Sequence, residues 1–205
     1  MTVIVDYGVG NLFSLASSLK KIGEPSVVSS EKRVIEGADR VILPGVGAFG
    51  DAMKKLEDSG LKDVIIEAAS KGVPLLGICL GMQLLFERSF EYGEHKGLGL
   101  LKGEVRPIVT DPSLKIPHMG WNSLKLKGGH PLFSRIKDGT YVYFVHSYHA
   151  VNCGESVIAE TEYGIPVTAA AASANVMGCQ FHPEKSGDAG LDILRAFVTM
   201  KEGDL

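Results

Sequence analysis

The sequence predicts a single α/β domain with a mixed, mostly parallel central sheet flanked by helices. In the first half of the chain, short apolar runs bounded by glycine or proline alternate with stretches of helical periodicity, as in parallel βαβ units. From Val105 onward the runs become shorter and strand-like, which favours a partly antiparallel region. Because 205 residues suffice for one hydrophobic core, we expect one domain over residues 1–205.

Apolar spacing predicts the elements of the first half. The predicted strands cover residues 3–5, Arg40–Leu43 and Leu75–Ile78, and the predicted helices cover residues 11–22, a stretch through Met53 and Leu56, Leu61–Ser70, and a stretch from Met82 through Phe86. Gly23 is the expected end of the first helix. Cys79 therefore lies where a strand turns into a helix.

The second half contains four predicted strands and a final helix. The strands cover residues 141–145, 157–160, 166–171 and 176–181. The helix covers residues 189–201, where Leu191, Leu194, Phe197 and Val198 recur at helical spacing. This stripe predicts a helix that packs on the core.

Composition excludes several classes of protein. The chain is 45% hydrophobic and 22% charged with a net charge of -3, so it fits a soluble globule and gives no support for nucleic-acid binding. No apolar stretch reaches the length of a signal peptide core or a membrane span, so we expect no membrane association. Three cysteines without C-x-x-C spacing argue against a disulfide framework or zinc site, and we expect a cytoplasmic protein without metal.

Gly77-Ile78-Cys79-Leu80-Gly81 has the form of a nucleophile elbow with cysteine as the nucleophile. A side chain on such a sharp turn needs small neighbours, and the start of the following helix favours the thiolate that attacks. A buried cysteine in a tight connection is an equally good interpretation of this pentapeptide alone.

His182-Pro183-Glu184 supplies a base and a carboxylate two residues apart. Proline disfavours helix at His182, and in an extended chain residues i and i+2 point to the same side. Glu184 could then orient the imidazole while its other nitrogen takes the proton of the thiol. Taken alone, the tripeptide also fits a surface turn. Together with the elbow, it predicts a catalytic triad of Cys79, His182 and Glu184.

Acyl transfer also needs donors for an oxyanion, and two segments can provide them. Gly45-Val46-Gly47 follows a predicted strand and can supply the N–H groups of Val46 or Gly47, while Leu80 N–H follows the nucleophile. A plain glycine turn is the alternative for the first segment.

These segments closely resemble the class I (triad) glutamine amidotransferases over nearly the whole chain. Pro44-Gly45-Val46-Gly47, Gly77-Ile78-Cys79-Leu80-Gly81-Met82-Gln83 and Gln180-Phe181-His182-Pro183-Glu184 stand in the order and approximate separation of that family's oxyanion, nucleophile and histidine-glutamate segments. Within the family, the likeness is greatest to the glutaminase subunits of imidazole glycerol phosphate synthases, through Asp6-Tyr7-Gly8-Val9-Gly10-Asn11, Pro117-His118-Met119-Gly120-Trp121-Asn122 and Tyr143-Phe144-Val145-His146-Ser147-Tyr148.

The resemblance implies a flavodoxin-like fold and hydrolysis of L-glutamine to glutamate through a Cys79 thioester, without a cofactor. It implies that ammonia passes through an internal channel to a synthase (cyclase) subunit, a (β/α)8 barrel that forms a heterodimer with this chain. There ammonia would yield imidazole glycerol phosphate and aminoimidazole carboxamide ribotide in histidine biosynthesis. The implied glutamine-binding residues are Gly47, Gln83, Glu91, His146, Ser147 and Tyr148.

The resemblance also implies a partner-facing surface containing Asn11, Trp121, Tyr143 and Lys185. For Trp121, the only tryptophan, a core position is an equal alternative. His95, His118 and His130 lie among glycines and prolines, so we expect each to be solvated or locally bonded. Cys153 and Cys179 lack an elbow and a nearby acid, and we expect inert thiols.

Three other functions stay open at this point. The same elbow serves a flavodoxin-like cysteine hydrolase that acts on peptides, aldehydes or other amides. The chain could also be a catalytically silent binding or regulatory subunit with the same fold, although the intact Cys79, His182 and Glu184 count against this function. Finally, anthranilate, guanylate, carbamoyl phosphate and pyridoxal phosphate syntheses use related glutaminases. Because ammonia released without an acceptor is wasted, we expect activity to depend on the partner.

Overall fold

The computed structural model describes residues 1–200. Their strands are β1 (Thr2–Val5), β2 (Ser26–Ser29), β3 (Arg40–Leu43), β4 (Leu75–Ile78), β5 (Phe86–Ser89), β6 (His95–Lys96), β7 (Leu101–Pro107), β8 (His118–Ser123), β9 (Lys125–Leu126), β10 (Tyr141–His146), β11 (Tyr148–Val151), β12 (Val157–Glu162), β13 (Pro166–Ser173) and β14 (Val176–Cys179). Eight of them form the central sheet, in the order β2-β1-β3-β4-β14-β13-β12-β9.

The central sheet has a parallel half and an antiparallel half. From β2 to β14 every pairing is parallel, and from β14 to β9 every pairing is antiparallel. Every residue of β1, β4 and β14 is buried, as expected for strands covered on both faces. The predicted mixed, mostly parallel α/β arrangement is therefore confirmed.

Helices cover both faces of this sheet. They are α1 (Leu12–Lys21), α2 (Lys32–Glu36), α3 (Phe49–Asp58), α4 (Leu61–Ser70), α5 (Leu80–Leu84) and α6 (Gly187–Thr199). Leu19 of α1 and Phe197 of α6 pack with Ile4 and Ile42 in one core cluster, whereas the apolar residues of α2, α3 and α4 pack on the other face. None of the helices within residues 1–200 is long and apolar enough to cross a membrane.

Two smaller sheets complete the fold. One has the strand order β11-β7-β5-β6, and the other is the antiparallel pair of β10 and β8. Val142 and Phe144 of β10 are fully buried against the core cluster of α1 and α6. The small β10–β8 sheet thereby holds its inward side chains near the carboxyl edge of β14, because His182 N–H donates to the Tyr143 carbonyl.

Some predicted bounds were wrong. The helix after Cys79 ends at Leu84, and Phe86 begins β5, since its backbone pairs with Leu101 of β7 and a continuous apolar run has no period that separates helix from strand. Strand β14 ends at Cys179 rather than residue 181. The final helix begins at Gly187 and ends at Thr199, and Lys201 lies outside the described residues.

Candidate active site

Cys79 lies on a strained turn between β4 and α5. Its backbone has φ 55° and ψ -112°, a conformation that costs a non-glycine residue about 1–3 kcal/mol and persists only where the surroundings impose it. Its N–H donates to the Cys179 carbonyl at 2.8 Å, which ties the turn to the neighbouring strand. The predicted elbow geometry is present.

Close backbone packing explains the glycines on either side of Cys79. A Cβ on Gly77 would lie 2.6 Å from the Gly81 carbonyl oxygen, and a Cβ on Gly81 would collide with the Leu43 carbonyl at the end of β3. Any side chain at these positions would therefore push apart β3, β4 and the first turn of α5. The elbow is fixed by contact on several sides.

His182 lies where the chain leaves β14, and Glu184 follows it in a 3₁₀ turn, Pro183–Lys185. The prediction of an extended chain holds for His182, with φ -102° and ψ 98°, but is wrong beyond it, since proline is favoured in the first turn of a helix. The predicted contact forms across this turn instead. His182 Nδ1 and Glu184 Oε1 are 2.8 Å apart, and both side chains are 3% exposed.

The contact between His182 and Glu184 holds the imidazole of His182 in one orientation. Because Nδ1 faces the carboxylate, Nε2 is the nitrogen left for proton transfer, and it is buried without a hydrogen-bond partner among the described residues. Burial lowers the pKa of His182, but interactions with Cys79 and Glu184 outweigh burial and raise it to about 9. The ring therefore favours the protonated state beside the thiol at neutral pH.

A cavity of about 400 Å³ opens in front of Cys79 and His182. Its lining contains these two residues and every predicted oxyanion and glutamine-binding residue: Val46, Gly47, Leu80, Gln83, Glu91, His146, Ser147 and Tyr148. Pro117 and Val145 also line the cavity and were not predicted. Residues from six separate segments thus meet around one thiol.

The glycine loop, residues 44–49, is held at both ends and open in the middle. The buried Tyr7 hydroxyl donates to the Pro44 carbonyl at 2.7 Å, and Phe49 N–H donates to Glu91 Oε2 at 2.6 Å. Between these anchors, Val46 is 43% exposed, and Gly47 has φ 94° with no heavy atom within 4 Å of a Cβ built there. Leu80 begins α5, so its N–H has no partner within the helix.

Two buried carboxamides connect the cavity wall to the thiol. Gln83 Nε2 donates to the Tyr148 carbonyl at 3.0 Å and to Gln180 Oε1 at 2.9 Å. Gln180 Nε2 lies 3.8 Å from Cys79 Sγ. Sequence reasoning missed Gln180, although a glutamine in the apolar run before His182 was a signal of a buried polar role.

His118 was expected to be solvated or locally bonded in a loop. It is neither solvated nor in a loop but a 2% exposed residue of β8, because the pairing of β8 with β10 turns its ring inward. The local bond is present, since its Nε2 lies 3.2 Å from Asn122 Nδ2. Its Nδ1 lies 2.9 Å from Nε2 of His146, whose own Nδ1 lies 2.8 Å from the Tyr148 carbonyl. Both ring nitrogens of His146 are therefore occupied by protein groups.

Three of the predicted partner-facing residues form one surface. Trp121 and Tyr143 are paired across β8 and β10 with ring centroids 6.3 Å apart, and Lys185 Nζ lies 5.8 Å from the Tyr143 ring. Trp121 is 56% exposed, so a core role for it is wrong. Asn11 borders a space of about 10 Å³ that His182 and Glu184 also border, and Glu184 is next to Lys185 in the chain.

The remaining cysteines differ from Cys79. Cys153 and Cys179 are buried and lie outside the lining of the cavity. Burial raises the pKa of Cys153 to about 11 and the pKa of Cys179 well above its usual value. Within residues 1–200, no group of three or more His, Cys, Asp or Glu side chains is arranged to hold a metal ion.

Known proteins match this chain over nearly its full length. A family model described as glutamine amidotransferase class-I matches residues 3–200. The chain is 52% identical over 203 residues to imidazole glycerol phosphate synthase subunit HisH of Aquifex aeolicus, covering 98% of this chain and 97% of that one. It is 50% identical over 201 residues to the subunit of the same name from Wolinella succinogenes, covering 96% and 98%.

Solved structures share the fold at low identity. A crystal structure of a glutamine amidotransferase superposes with a TM-score of 0.74 at 22% identity, covering 96% of this chain and 99% of that one. The structure of PurLQS from Thermotoga maritima superposes with a TM-score of 0.71 at 21% identity, covering 96% of each chain.

Proposed function

The chain belongs to the class-I glutamine amidotransferase family, and on this premise we propose that it is the glutaminase subunit of an imidazole glycerol phosphate synthase. It is a glutamine amidotransferase with that family's α/β fold, and its identity to the HisH relatives over nearly their full length assigns it to histidine biosynthesis. Residues 1–205 make up one amidotransferase domain in this proposal.

Cys79 is the nucleophile and His182 the proton carrier. The Cys79 sulfur attacks the side-chain carbonyl carbon of glutamine, and the tetrahedral intermediate collapses with release of ammonia, which takes a proton from His182. Water activated by His182 then hydrolyses the γ-glutamyl thioester to glutamate and restores the thiol. Glu184 holds His182 Nδ1, so that Nε2 faces the reaction. The observation that carries this proposal is the meeting of Cys79 and His182 in one cavity.

Backbone donors stabilise the oxyanion of each tetrahedral intermediate. Leu80 N–H at the start of α5 is one donor, and the peptide of Val46 or Gly47 is the other. Each donor of this kind contributes roughly 10²–10³-fold to kcat in comparable enzymes. Both segments line the cavity beside the thiol.

The cavity size and polarity fit glutamine. Gln83, Glu91 and the backbone of residues 146–148 supply acceptors and donors for its amide, ammonium and carboxylate groups. A general cysteine hydrolase for peptides would need a groove open at both ends rather than a single cavity of about 400 Å³.

The partner is the synthase subunit that uses the ammonia. We place it against the surface formed by Trp121, Tyr143 and Lys185, with Asn11 beside it, because an exposed tryptophan next to a second aromatic ring and a cation is typical of interface centres. In the proposal the partner is a (β/α)8 barrel that receives ammonia through an internal channel and carries the lyase chemistry. The complex works in the cytoplasm and needs no cofactor for glutamine hydrolysis.

Glutamate release tests the glutaminase proposal. The measurement compares wild type, Cys79→Ala and Cys153→Ala, each with and without the synthase subunit. Wild type and Cys153→Ala should release glutamate in the complex, because Cys153 is buried outside the cavity, whereas Cys79→Ala should fall to background. Equal release by wild type and Cys79→Ala in the complex would contradict the proposal.

Complementation tests the pathway. Expression of this chain should restore growth of a histidine auxotroph that lacks its glutaminase subunit, and the chain should co-purify with the synthase subunit. Failure of both, with glutaminase activity intact, would assign the chain to another amidotransferase.

A further inference from the structure

A buried chain of hydrogen bonds runs from the small β10–β8 sheet to the cavity. It begins at Asn122, whose Nδ2 lies 3.2 Å from His118 Nε2. It continues through His118 Nδ1 to His146 Nε2 at 2.9 Å, and through His146 Nδ1 to the Tyr148 carbonyl at 2.8 Å. The same carbonyl accepts from Gln83 Nε2 at 3.0 Å.

Backbone groups fix the direction of this chain at both ends. Asn122 Oδ1 accepts from Ser123 N–H at 2.8 Å, and Asn122 Nδ2 donates to the Glu162 carbonyl at 2.8 Å, so the amide cannot be reversed without losing both bonds. Asn122 therefore presents a donor to His118 Nε2, which must accept.

At the other end only an acceptor is available. The Tyr148 carbonyl can only accept, so His146 carries its hydrogen on Nδ1 and accepts at Nε2. His118 must then donate from Nδ1. Both rings are neutral, with hydrogen on Nδ1, and a proton added to either would place two donors face to face.

Burial supports this protonation state. His118 and His146 are 2% and 6% exposed, and His118 is stacked between the rings of Phe144 and Tyr163 at 4.8 Å and 4.1 Å. Burial lowers the pKa of His118 to about 4 and, as the largest cause, the pKa of His146 to about 3.

Gln83 connects this chain of hydrogen bonds to the cavity. Both hydrogens on its Nε2 are used, one by the Tyr148 carbonyl and the other by Gln180 Oε1. Its Oε1 is thus the atom of the carboxamide left for a ligand, in a cavity that Gln83 lines. A reversed carboxamide would point its nitrogen at the ligand and place its oxygen against two acceptors.

We propose that His118 is a positioning residue for substrate: through His146 and the Tyr148 carbonyl, it holds Gln83 Oε1 in the cavity as a fixed acceptor for an N–H group of glutamine. This role rests on the proposed function, because it concerns how the same cavity binds glutamine. It acts on binding more than on the chemical step, since Cys79 and His182 are held by the Cys179 carbonyl and by Glu184, and neither contact involves His118.

The kinetic test is His118→Phe in the complex with ligand-loaded synthase. Phenylalanine keeps a ring between Phe144 and Tyr163 and removes both nitrogens. The KM for glutamine should rise about 10-fold while kcat changes by less than about 2-fold, the pattern of lost uniform binding. Tyr163→Phe is the matched control, because it keeps the stacked ring and loses only a hydroxyl bonded to the Lys115 carbonyl. Its KM should equal that of wild type.

Two results separate this inference from the proposed function. No glutamate release by the wild-type complex would refute the glutaminase itself. A His118→Phe complex that hydrolyses glutamine with the KM of wild type, whether or not its kcat is lowered, would refute the positioning role alone. Glutamine binding by calorimetry gives the same comparison without turnover: adding His118→Phe to Cys79→Ala should weaken affinity about 10-fold, and equal affinity would overturn the role.

A spectroscopic measurement on wild type covers the case in which His118→Phe does not fold. In ¹⁵N-histidine NMR at pH 7, His118 and His146 should both appear as neutral rings with hydrogen on Nδ1. A ring carrying hydrogen on Nε2, or a protonated ring, would overturn the inference.

Discussion

The elbow around Cys79 and the glycine loop at residues 44–49 lie side by side but are built differently. At the elbow, a Cβ added to Gly77 or Gly81 would lie within 3 Å of backbone atoms, and Cys79 is held in a strained conformation. In the loop, Gly47 has open space around it and Val46 is 43% exposed. The thiol is thus fixed by its surroundings, whereas the loop proposed to supply one oxyanion donor has open space around it.

This contrast between a tightly held elbow and an open loop predicts that regulation of activity acts through the loop. A strained nucleophile that must stay in place needs contacts on every side, and the elbow has them. A loop anchored at Pro44 and Phe49 but free between them can change the direction of one peptide without disturbing the core. We therefore expect mutations at the elbow to remove activity outright and changes in the loop to alter its regulation.

The largest expected effect is that of Gly81→Ala. The added Cβ collides with the Leu43 carbonyl, so the free energy of unfolding should fall by about 3 kcal/mol or more, with loss of glutaminase activity. Gly72→Ala is the control, since a Cβ added to Gly72 meets no heavy atom within 4 Å, although its φ of 83° is positive. It should cost only about 1 kcal/mol of backbone strain and keep activity. Similar losses in both variants, measured by urea unfolding, would mean that the elbow is not tightly packed.

The second expected effect is a pH dependence of stability from His182. Its pKa is raised from 6.5 to about 9, so its contribution is complete below pH 6.5 and is lost as pH rises through 9. The size is about 3 kcal/mol, at 1.36 kcal/mol per pKa unit. Glu184→Gln should flatten part of this fall in unfolding free energy between pH 6.5 and 9, because Glu184 raises the pKa of His182 together with Cys79, whose interaction is the larger. An unchanged slope in Glu184→Gln would show that Glu184 does not hold the imidazolium.

Regulation through the loop should be of intermediate size. If the loop presents its donor only when the synthase is loaded, adding a synthase ligand should raise kcat for glutamine hydrolysis by about 5–150-fold, the range that corresponds to coupling energies of about 1–3 kcal/mol. The KM should change less than kcat, because Gln83, Glu91 and residues 146–148 lie outside the loop and only Gly47 of the predicted glutamine-binding residues lies within it. Equal kcat in both conditions would locate control elsewhere.

Tyr7→Phe tests the anchor of the loop and should have the smallest effect. It removes the hydrogen bond to the Pro44 carbonyl and leaves a buried acceptor, at a cost of about 1–2 kcal/mol in unfolding free energy. Basal glutaminase activity should change more than activity in the loaded complex, where the partner orders the loop. Equal effects on both activities would argue against an anchor.

Local patterns predicted much of the fold and the contact between His182 and Glu184. β3, α4 and β4 begin and end where predicted, because each is an apolar or periodic run bounded by glycine or proline. The contact between His182 and Glu184 was predicted from an extended chain but forms across a 3₁₀ turn. The two geometries bring the same atoms together, so the spacing was informative although the backbone prediction was wrong.

The residues that escaped prediction depend on contacts distant in sequence. His118 stands beside Pro117 and near Gly120, which indicate a loop, yet pairing of β8 with β10 buries it against His146. Gln180 is defined by its position between Gln83 and the Cys79 sulfur. The sequence around Gln180 indicates a buried polar role but not the residues that it contacts, and the sequence around His118 gives no local signal of its burial.

Trapping the thioester tests the central claim most directly. The wild-type complex with ligand-loaded synthase, turning over glutamine, is quenched in acid and analysed by mass spectrometry of its peptides. The peptide containing Cys79 should carry the mass of one γ-glutamyl group, the peptides containing Cys153 and Cys179 should be unmodified, and Cys79→Ala should carry no adduct. An adduct on another residue, or glutamate release that persists in Cys79→Ala, would contradict Cys79 as the nucleophile.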